Sequence, residues 1–265
     1  MPENTNRAFM YGESVFTTMR MVDGQLCDWN QHFNRLRKGV EFVYGPFADQ
    51  NEWVALFKNR LENLLQAETG NKVIRLTVYR DQTRPSLKSV LISSLDLKLH
   101  YSSRVPEPVS EGRAYKLRTC PAMVRPKWWP SFLKAGSYLE IILAQKIYLQ
   151  EDEDDLLFLS PQNTVFETSI ANVFIVHNNR IYTPPLGPQV LDGVMRKKVI
   201  ETASLYFSDI VESEISLEQL LKADGVFCSN SVKGLFLVDR INDYEITYNE
   251  EFFDKFRFMK SKVLE

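Results

Sequence analysis

Residues 132–144 read FLKAGSYLEIILA, and Lys134 is the lone cation at the start of this long, mostly apolar run. The run continues to Tyr148, with Glu140, Gln145 and Lys146 as its strongly polar residues. Apolar surroundings remove water from an ammonium group, which lowers its pKa and makes the amine a nucleophile. A lysine that forms a Schiff base with a carbonyl compound needs this property. The alternative is a lysine that reaches from a helix start to water.

Size, composition and charge exclude several classes of partner. The chain has 265 residues, of which 44% are hydrophobic and 25% charged, as in ordinary soluble globular proteins. Its formal net charge of -2 and its scattered basic residues give no reason to expect a nucleic acid partner. No apolar run is long enough to span a membrane, and the N-terminus lacks the apolar core of a signal peptide. We therefore expect a cytoplasmic protein with a small-molecule substrate.

The cysteines and histidines predict neither a disulfide framework nor a metal site. The three cysteines are far apart and odd in number, which is typical of thiols in a reducing cytosol. The three histidines have no metal-ligand spacing among themselves or with the cysteines. These residues are Cys27, Cys120, Cys228, His32, His100 and His177.

The order of helical and strand patterns predicts an α+β fold with two domains. Residues 1–105 form a small N-terminal domain, with a strand or a strand pair over residues 9–21 and an amphipathic helix over residues 29–43. Residues 106–112 contain two prolines among polar residues and form a linker. Residues 113–265 form a larger domain of short strands and helices. Its first helix is predicted to carry Lys134, and another begins at Gly193.

Four other segments contain residues suited to hold an anionic cofactor. Glu167 lies between two apolar strands and pairs either with a cationic ring nitrogen or with another protein group. Gly193 opens a helix whose first N–H groups, those of Val194 and Met195, bind an anion or simply follow an ordinary cap. Residues 228–234 form a polar turn, whose small hydroxyl and amide side chains bind a phosphate or carboxylate, or a plain hairpin. In residues 32–36, Arg35 pairs with a phosphate or lies at the surface.

Six short motifs occur in the order found in one known family. They are residues 11–20 (YGESVFTTMR), 32–36 (HFNRL), 133–138 (LKAGSY), 166–174 (FETSIANVF), 183–185 (TPP) and 191–196 (LDGVMR). This set resembles the class IV aminotransferases, which are pyridoxal-phosphate enzymes of fold type IV. The resemblance covers the chain from Phe9 to about Val238. Glu13 departs from the pattern, because the family usually has aspartate at that position.

The resemblance implies a fold, a cofactor and a partner. The family fold has a small N-terminal α/β sandwich, a larger C-terminal domain like a β-barrel with helices, and the cofactor at the domain interface. The usual assembly is a homodimer that shares its active sites. The implied cofactor is pyridoxal 5'-phosphate, with Lys134 as the Schiff-base lysine and catalytic base. The other implied cofactor ligands are Arg35 (phosphate), Tyr138 (ring hydroxyl), Glu167 (ring nitrogen), Asn172, Val194, Met195 and Ser231.

Three positions favour one branch of the family. Thr17 follows Phe16 where the branched-chain transaminases usually have glutamate, Met195 stands where they have threonine, and Asn230 precedes Ser231 in the polar turn. These residues resemble the branch that releases pyruvate from aminodeoxychorismate and leaves 4-aminobenzoate. A transaminase for D-amino or branched-chain amino acids is the alternative. The candidates to hold the substrate carboxylate are Arg80, Arg84 and Asn230, although either arginine is equally consistent with a solvated loop charge.

Overall fold

A computed structural model describes residues 6–45, 50–66, 68–80, 97–106, 113–121 and 125–264, and the chain divides into two compact units. Unit 1 contains Met1–Glu107 and Phe132–Tyr138, and unit 2 contains Pro108–Ser131 and Leu139–Glu265. The segment with Lys134 therefore belongs to unit 1, although it follows the predicted linker in sequence. The domain limits at residues 105 and 113 remain a prediction.

The elements of unit 1 are α1 (Arg7–Tyr11), β1 (Ser14–Val22), β2 (Gln25–Leu26), α2 (Trp29–Tyr44), α3 (Gln50–Leu65), β3 (Lys72–Arg80) and β4 (Leu97–Arg104). The four strands form an antiparallel sheet in the order β2-β1-β3-β4. Helix α2 packs against β1, whose residues from Ser14 to Thr17 are all buried. The amphipathic face of α2 covers this sheet with His32, Phe33, Leu36 and Val40.

The elements of unit 2 are β5 (Tyr115–Pro121), α4 (Leu139–Tyr148), β6 (Asp155–Leu159), β7 (Val165–Thr168), β8 (Asn172–His177), β9 (Arg180–Thr183), α5 (Val194–Ala203), β10 (Asp209–Glu212), α6 (Leu217–Leu221), β11 (Gly225–Asn230), β12 (Gly234–Ile241), β13 (Tyr244–Glu245) and α7 (Glu250–Leu264). Six of these strands form a closed barrel, in which they pair in the cyclic order β5-β6-β7-β8-β11-β12.

Strand β8 shows how the barrel is stabilised. Val173 and Ile175 belong to one buried apolar cluster, whereas Phe174 and Val176 belong to a second cluster with residues of α5 and α7. Because both faces of the strand are covered, its sequence is apolar without alternation. Strands β9 and β10 continue the sheet beyond β8. The predicted α+β class, with a sandwich-like first part and a barrel-like second part, is confirmed.

Two local predictions were wrong. Lys134 does not lie on a helix, because α4 begins only at Leu139. The strand predicted over residues 9–21 begins at Ser14, and Arg7–Tyr11 is a short helix whose N-cap, Asn6, accepts a hydrogen bond from the Phe9 N–H at 2.8 Å. Gly12 ends this helix in the left-handed conformation, with φ of 67°. No helix of the described residues is long and apolar enough to cross a lipid bilayer.

Candidate active site

Backbone hydrogen bonds to β1 fix the position of Lys134. The Phe16 N–H donates to the Lys134 carbonyl at 2.9 Å, and the Gly136 N–H donates to the Ser14 carbonyl at 2.8 Å. Ala135 pairs with Val15 as an isolated antiparallel bridge, so the segment acts as a short added strand. A Cβ atom at Gly136 would lie 2.0 Å from Ser14 Oγ, which explains the glycine. The main chain therefore holds this lysine independently of its side chain.

The Lys134 ammonium group lies among aromatic rings. Its Nζ is 3.4 Å from the Tyr138 hydroxyl, to which it donates, and 5.0 Å from the centre of the Phe16 ring. Arg75 of β3 stacks on the same ring, with its Cζ 3.6 Å from the centre. Burial lowers the pKa of the Arg75 guanidinium, and Tyr138 partly opposes this effect. Unit 1 thus places a lysine, an arginine and a phenol around one phenylalanine ring.

Arg35 is 8% exposed and belongs to a second polar group of unit 1. Its Nη2 donates to Thr17 Oγ1 at 3.2 Å, and the same hydroxyl lies 2.7 Å from His32 Nδ1. Burial lowers the pKa of His32 to about 3, and the positive charges of Arg35 and Lys134 add to this effect. Arg35, for which the sequence left a surface position open, is therefore buried and close to a neutral histidine.

The low pKa of His32 predicts a dependence of stability on pH. The ordinary pKa of 6.5 applies to the unfolded chain, and the folded value is about 3, so only the unfolded chain gains this proton within that window. Stability therefore rises with pH between these two values, and lowering the pH from 7 to 5 costs about 2 kcal/mol through His32 alone. Urea unfolding of the wild type and of His32→Asn at both pH values measures this difference. An equal pH dependence in both proteins would contradict it.

Arg80 is buried beside Glu13, the residue that departs from the family pattern. The Arg80 Nε atom lies 3.8 Å from Glu13 Oε1. The Arg7 Nε–H donates a hydrogen bond to Glu13 Oε2 at 2.7 Å. The Tyr44 hydroxyl donates to the Glu13 carbonyl at 2.9 Å, and burial raises the pKa of that phenol. A role for Arg80 in substrate binding remains a prediction, and Arg84 lies outside the described residues.

In unit 2, Glu167 and Asn172 face each other across β7 and β8. Glu167 Oε2 accepts a hydrogen bond from the Leu191 N–H at 2.8 Å and lies 3.3 Å from Asn172 Nδ2. Asn172 Nδ2 also donates to the Leu191 carbonyl at 2.9 Å. These contacts hold the carboxylate in one orientation and tie it to the loop that precedes α5.

The start of α5 has the features of an anion cradle. Gly193 is the N-cap and has no side chain to bind the N–H groups of the first turn, which contains Val194 and Met195. A Cβ atom at Gly193 would lie 2.1 Å from Asn172 Oδ1, so a larger residue here would displace the Asn172 side chain. Arg196 instead serves the fold, because its Nη2 donates to Glu212 at 2.7 Å and to the Pro184 carbonyl at 3.0 Å.

The polar turn at 230–233 joins β11 to β12 as a hairpin. Asn230 Oδ1 accepts the N–H groups of Val232 at 3.0 Å and Lys233 at 2.8 Å, so this oxygen is used within the turn that contains Ser231. Ser229, which pairs with Asn172 across β8 and β11, is 1% exposed. Its Oγ has no hydrogen-bond partner among the described residues. A buried hydroxyl of this kind is suited to receive a polar ligand atom.

The structure therefore divides the predicted residues between the two units. Unit 1 has Arg35, Arg80, Lys134 and Tyr138, and unit 2 has Glu167, Asn172, Val194, Met195, Asn230 and Ser231. The sequence did not point to Thr17, Arg75 or Ser229, which lie next to predicted site residues. A signal for Arg75 existed, because it is a charged residue in the alternating strand pattern of residues 73–79.

Comparisons with known proteins identify the family and the fold of the chain. The family model described as amino-transferase class IV matches residues 14–241. An aminodeoxychorismate lyase of Vibrio harveyi is 26% identical over 242 residues, which cover 89% of this chain and 86% of that protein. A D-alanine aminotransferase of Listeria monocytogenes is 24% identical, with coverage of 91% and 82%. The solved 4-amino-4-deoxychorismate lyase of Pseudomonas aeruginosa has the same fold, with a TM-score of 0.81, 20% identity, and coverage of 98% and 95%.

Proposed function

Because the chain belongs to the class IV aminotransferase family and is therefore a pyridoxal-phosphate-dependent enzyme, we propose that it is an aminodeoxychorismate lyase. The observation that carries the proposal is the Lys134 amine, which backbone pairing holds beside Tyr138 and Phe16. The lyase rather than the transaminase is favoured by the similarity to the Vibrio harveyi and Bacillus subtilis lyases, both 26% identical. Thr17 supports this choice, because a buried hydroxyl replaces the glutamate usual in branched-chain transaminases.

Each unit contains residues of the kinds that bind the cofactor. When bound, pyridoxal phosphate supplies an aldehyde that bonds to amines and a ring that accepts electrons. Lys134 is the amine for that aldehyde, with Tyr138 beside it, and Arg35 is a cation for the phosphate. The uncapped N–H groups of Val194 and Met195 and the turn with Ser231 are further phosphate donors. Glu167, oriented by Leu191 and Asn172, is the anion for the ring nitrogen.

The proposed reaction requires one base from the chain and correct positioning of the substrate. Lys134 Nζ removes the proton from C4 of aminodeoxychorismate, the carbon that carries the amino group. The bond between the ring carbon and the enolpyruvyl oxygen then breaks, and the carbon ring becomes aromatic. The released enolpyruvate takes up a proton to become pyruvate. Because aromatisation drives the reaction, the remaining requirement is that the substrate be held correctly. The product, 4-aminobenzoate, is a precursor of folate, and a cytoplasmic location stays a prediction.

The substrate has two carboxylates, so cations are needed near Lys134. We propose Arg75 as one of them, because its guanidinium stacks on the same Phe16 ring as the lysine. Arg80 and Asn230 remain proposed substrate ligands. Each has a structural contact already, Arg80 with Glu13 and Asn230 with its own turn.

We also propose that the enzyme is a homodimer, and helix α4 supports this. No residue of α4 is buried, although Leu139, Ile142, Leu143 and Ile147 form an apolar stripe along it. Ile147 is 71% exposed and Leu139 is 65% exposed. Exposed apolar surface of this extent marks an interaction site, and a second copy of the chain is the proposed occupant.

Charges on the α4 stripe are expected to separate the dimer. The double variant Leu143→Asp and Ile147→Asp should sediment at half the mass of the wild type, because two carboxylates in an apolar interface would lose their hydration. Leu205→Asp is the matched control, since Leu205 lies beyond α5 and is 67% exposed. Analytical ultracentrifugation measures both. Wild-type protein that sediments as a monomer would contradict the proposal.

The alternative function is a transaminase for D-amino or branched-chain amino acids, and the similarity to the Listeria D-alanine aminotransferase favours it. One assay separates the two functions. Cofactor-loaded protein is mixed with aminodeoxychorismate, and pyruvate and 4-aminobenzoate are quantified. Equal amounts of both products support the lyase. No product, together with transfer of an amino group from D-alanine or leucine to 2-oxoglutarate, supports the transaminase instead.

A further inference from the structure

Thr17, His32 and Arg35 form a buried polar group between β1 and α2. Thr17 is fully buried, His32 is 1% exposed and Arg35 is 8% exposed. The Thr17 hydroxyl lies at the centre, 3.2 Å from Arg35 Nη2 and 2.7 Å from His32 Nδ1. The three residues therefore make one connected network inside unit 1.

One hydrogen bond of this network has a fixed direction, because a guanidinium only donates and Thr17 Oγ1 therefore accepts from Arg35. The contact between Thr17 Oγ1 and His32 Nδ1 is assigned with the hydroxyl as the donor, which places the proton of the neutral ring on Nε2. The low pKa of His32 agrees with a neutral ring. The network reads from Arg35 through Thr17 to His32.

A histidine at position 32 lowers the stability of the fold. Its Nε2 is buried and has no hydrogen-bond partner among the described residues. A buried polar group without a partner destabilises a fold, and an apolar residue of similar size would avoid that loss. The fold also places this imidazole near two cations, Arg35 and Lys134, so it cannot act there as a charged group. What His32 provides at this position is an acceptor nitrogen, Nδ1, for the Thr17 hydroxyl.

We propose that Thr17 and His32 are positioning residues, which fix the Arg35 guanidinium for the phosphate of the cofactor. This inference rests on the proposed cofactor role of Arg35. An arginine side chain has several rotatable bonds, and its affinity for phosphate depends on how far it is held in one geometry before binding. The Thr17 oxygen anchors one guanidinium nitrogen, and His32 stops the hydroxyl from rotating away.

The test compares two ligands that differ in one group. Pyridoxal phosphate and pyridoxal are titrated into full-length protein freed of cofactor, and binding is followed by near-ultraviolet and visible absorption. Thr17→Val should weaken pyridoxal phosphate binding about 10-fold or more, because an anchor bond to a charged group is lost. Pyridoxal lacks the phosphate, so its affinity should stay within about 2-fold of the wild type.

Conservative variants separate positioning from a structural role. Thr17→Ser keeps the hydroxyl and His32→Asn keeps an acceptor near the position of Nδ1, so both should restore most of the phosphate preference, whereas His32→Leu should not. Thr183→Val is the matched control, because Thr183 is fully buried and its hydroxyl donates to the Val173 carbonyl at 2.8 Å in unit 2. This control should leave both affinities unchanged.

Two outcomes would overturn the assignment. One is a Thr17→Val protein that binds pyridoxal phosphate as the wild type does, and the other is an equal loss of both ligands. If Thr17→Val does not fold, the comparison of His32→Asn with His32→Leu decides. Wild-type protein that binds the cofactor but releases no pyruvate would contradict the lyase proposal alone, because the affinity ratio of the two ligands does not depend on turnover.

Discussion

Lys134→Ala is expected to lower kcat for pyruvate release on the order of 10⁴-fold, because one substitution removes both the covalent nucleophile and the proposed base. The fold should persist. The segment is attached to β1 through the Lys134 carbonyl, the Gly136 N–H and the pairing of Ala135 with Val15, and alanine retains all these main-chain groups.

The measurement has a covalent and a kinetic part. Borohydride reduction of cofactor-loaded wild-type protein, followed by peptide mass spectrometry, should find the cofactor on the peptide that contains Lys134, and the alanine variant should show no adduct. Lys222→Ala is the control, since Lys222 is an exposed lysine that pairs with Glu218 at 2.6 Å on the surface. An adduct on another lysine, or turnover that survives in Lys134→Ala, would contradict the assignment.

Local patterns predicted the helices and strands well where short-range forces decide. The helix predicted over residues 29–43 is Trp29–Tyr44, because its apolar stripe and the glycine that follows it are encoded within the segment. Gly193 was predicted to open a helix, and it is the N-cap of α5. Asn178 and Asn179, which join β8 to β9, both have positive φ, as the hairpin pattern requires.

Long-range pairing explains what the sequence did not reveal. The segment with Lys134 resembles a helix start because apolar residues follow it, yet its backbone is held by Ser14 and Phe16, more than a hundred positions earlier. The barrel closes through β5 and β12, where Leu117 pairs with Ile241. Neither contact leaves a periodic signal, because strand pairing at such separations depends on topology rather than on neighbouring residues.

The candidate site shows the same division. Motif order predicted Glu167 and Asn172 as cofactor ligands, but only the fold reveals that both contact Leu191, which orients them through its backbone N–H and carbonyl. Leu191 lies in the motif of residues 191–196, but it acts through its backbone, so its residue type gave no sign of these contacts. Arg75 was visible as a charge in a strand, but its place on the Phe16 ring follows from the register of β1 and β3, in which Thr18 pairs with Arg75.

Glu167→Gln is expected to lower kcat about 10²-fold while the protein still binds the cofactor covalently. The variant keeps the size of the side chain and an oxygen for the Leu191 N–H at 2.8 Å, so the loop before α5 should keep its position. What is lost is the negative charge that keeps a proton on the ring nitrogen. Without that charge, the proposed proton removal by Lys134 produces a less stable carbanion, and the effect falls on kcat rather than on cofactor affinity.

Glu212→Gln is the matched control, because it removes a carboxylate from unit 2 that pairs with Arg196 at 2.7 Å and has no proposed ligand. Stopped-flow turnover and the pH dependence of the cofactor's absorption are measured for both variants. A Glu167→Gln enzyme with kcat within about 3-fold of the wild type would remove Glu167 as the ring partner. The two largest effects are separable, because Lys134→Ala loses the borohydride adduct and Glu167→Gln retains it. A Glu167→Gln enzyme that keeps the adduct but has a lower kcat therefore isolates the electrostatic contribution of the Glu167 carboxylate. This contribution depends on the fixed orientation that Leu191 and Asn172 give to the carboxylate.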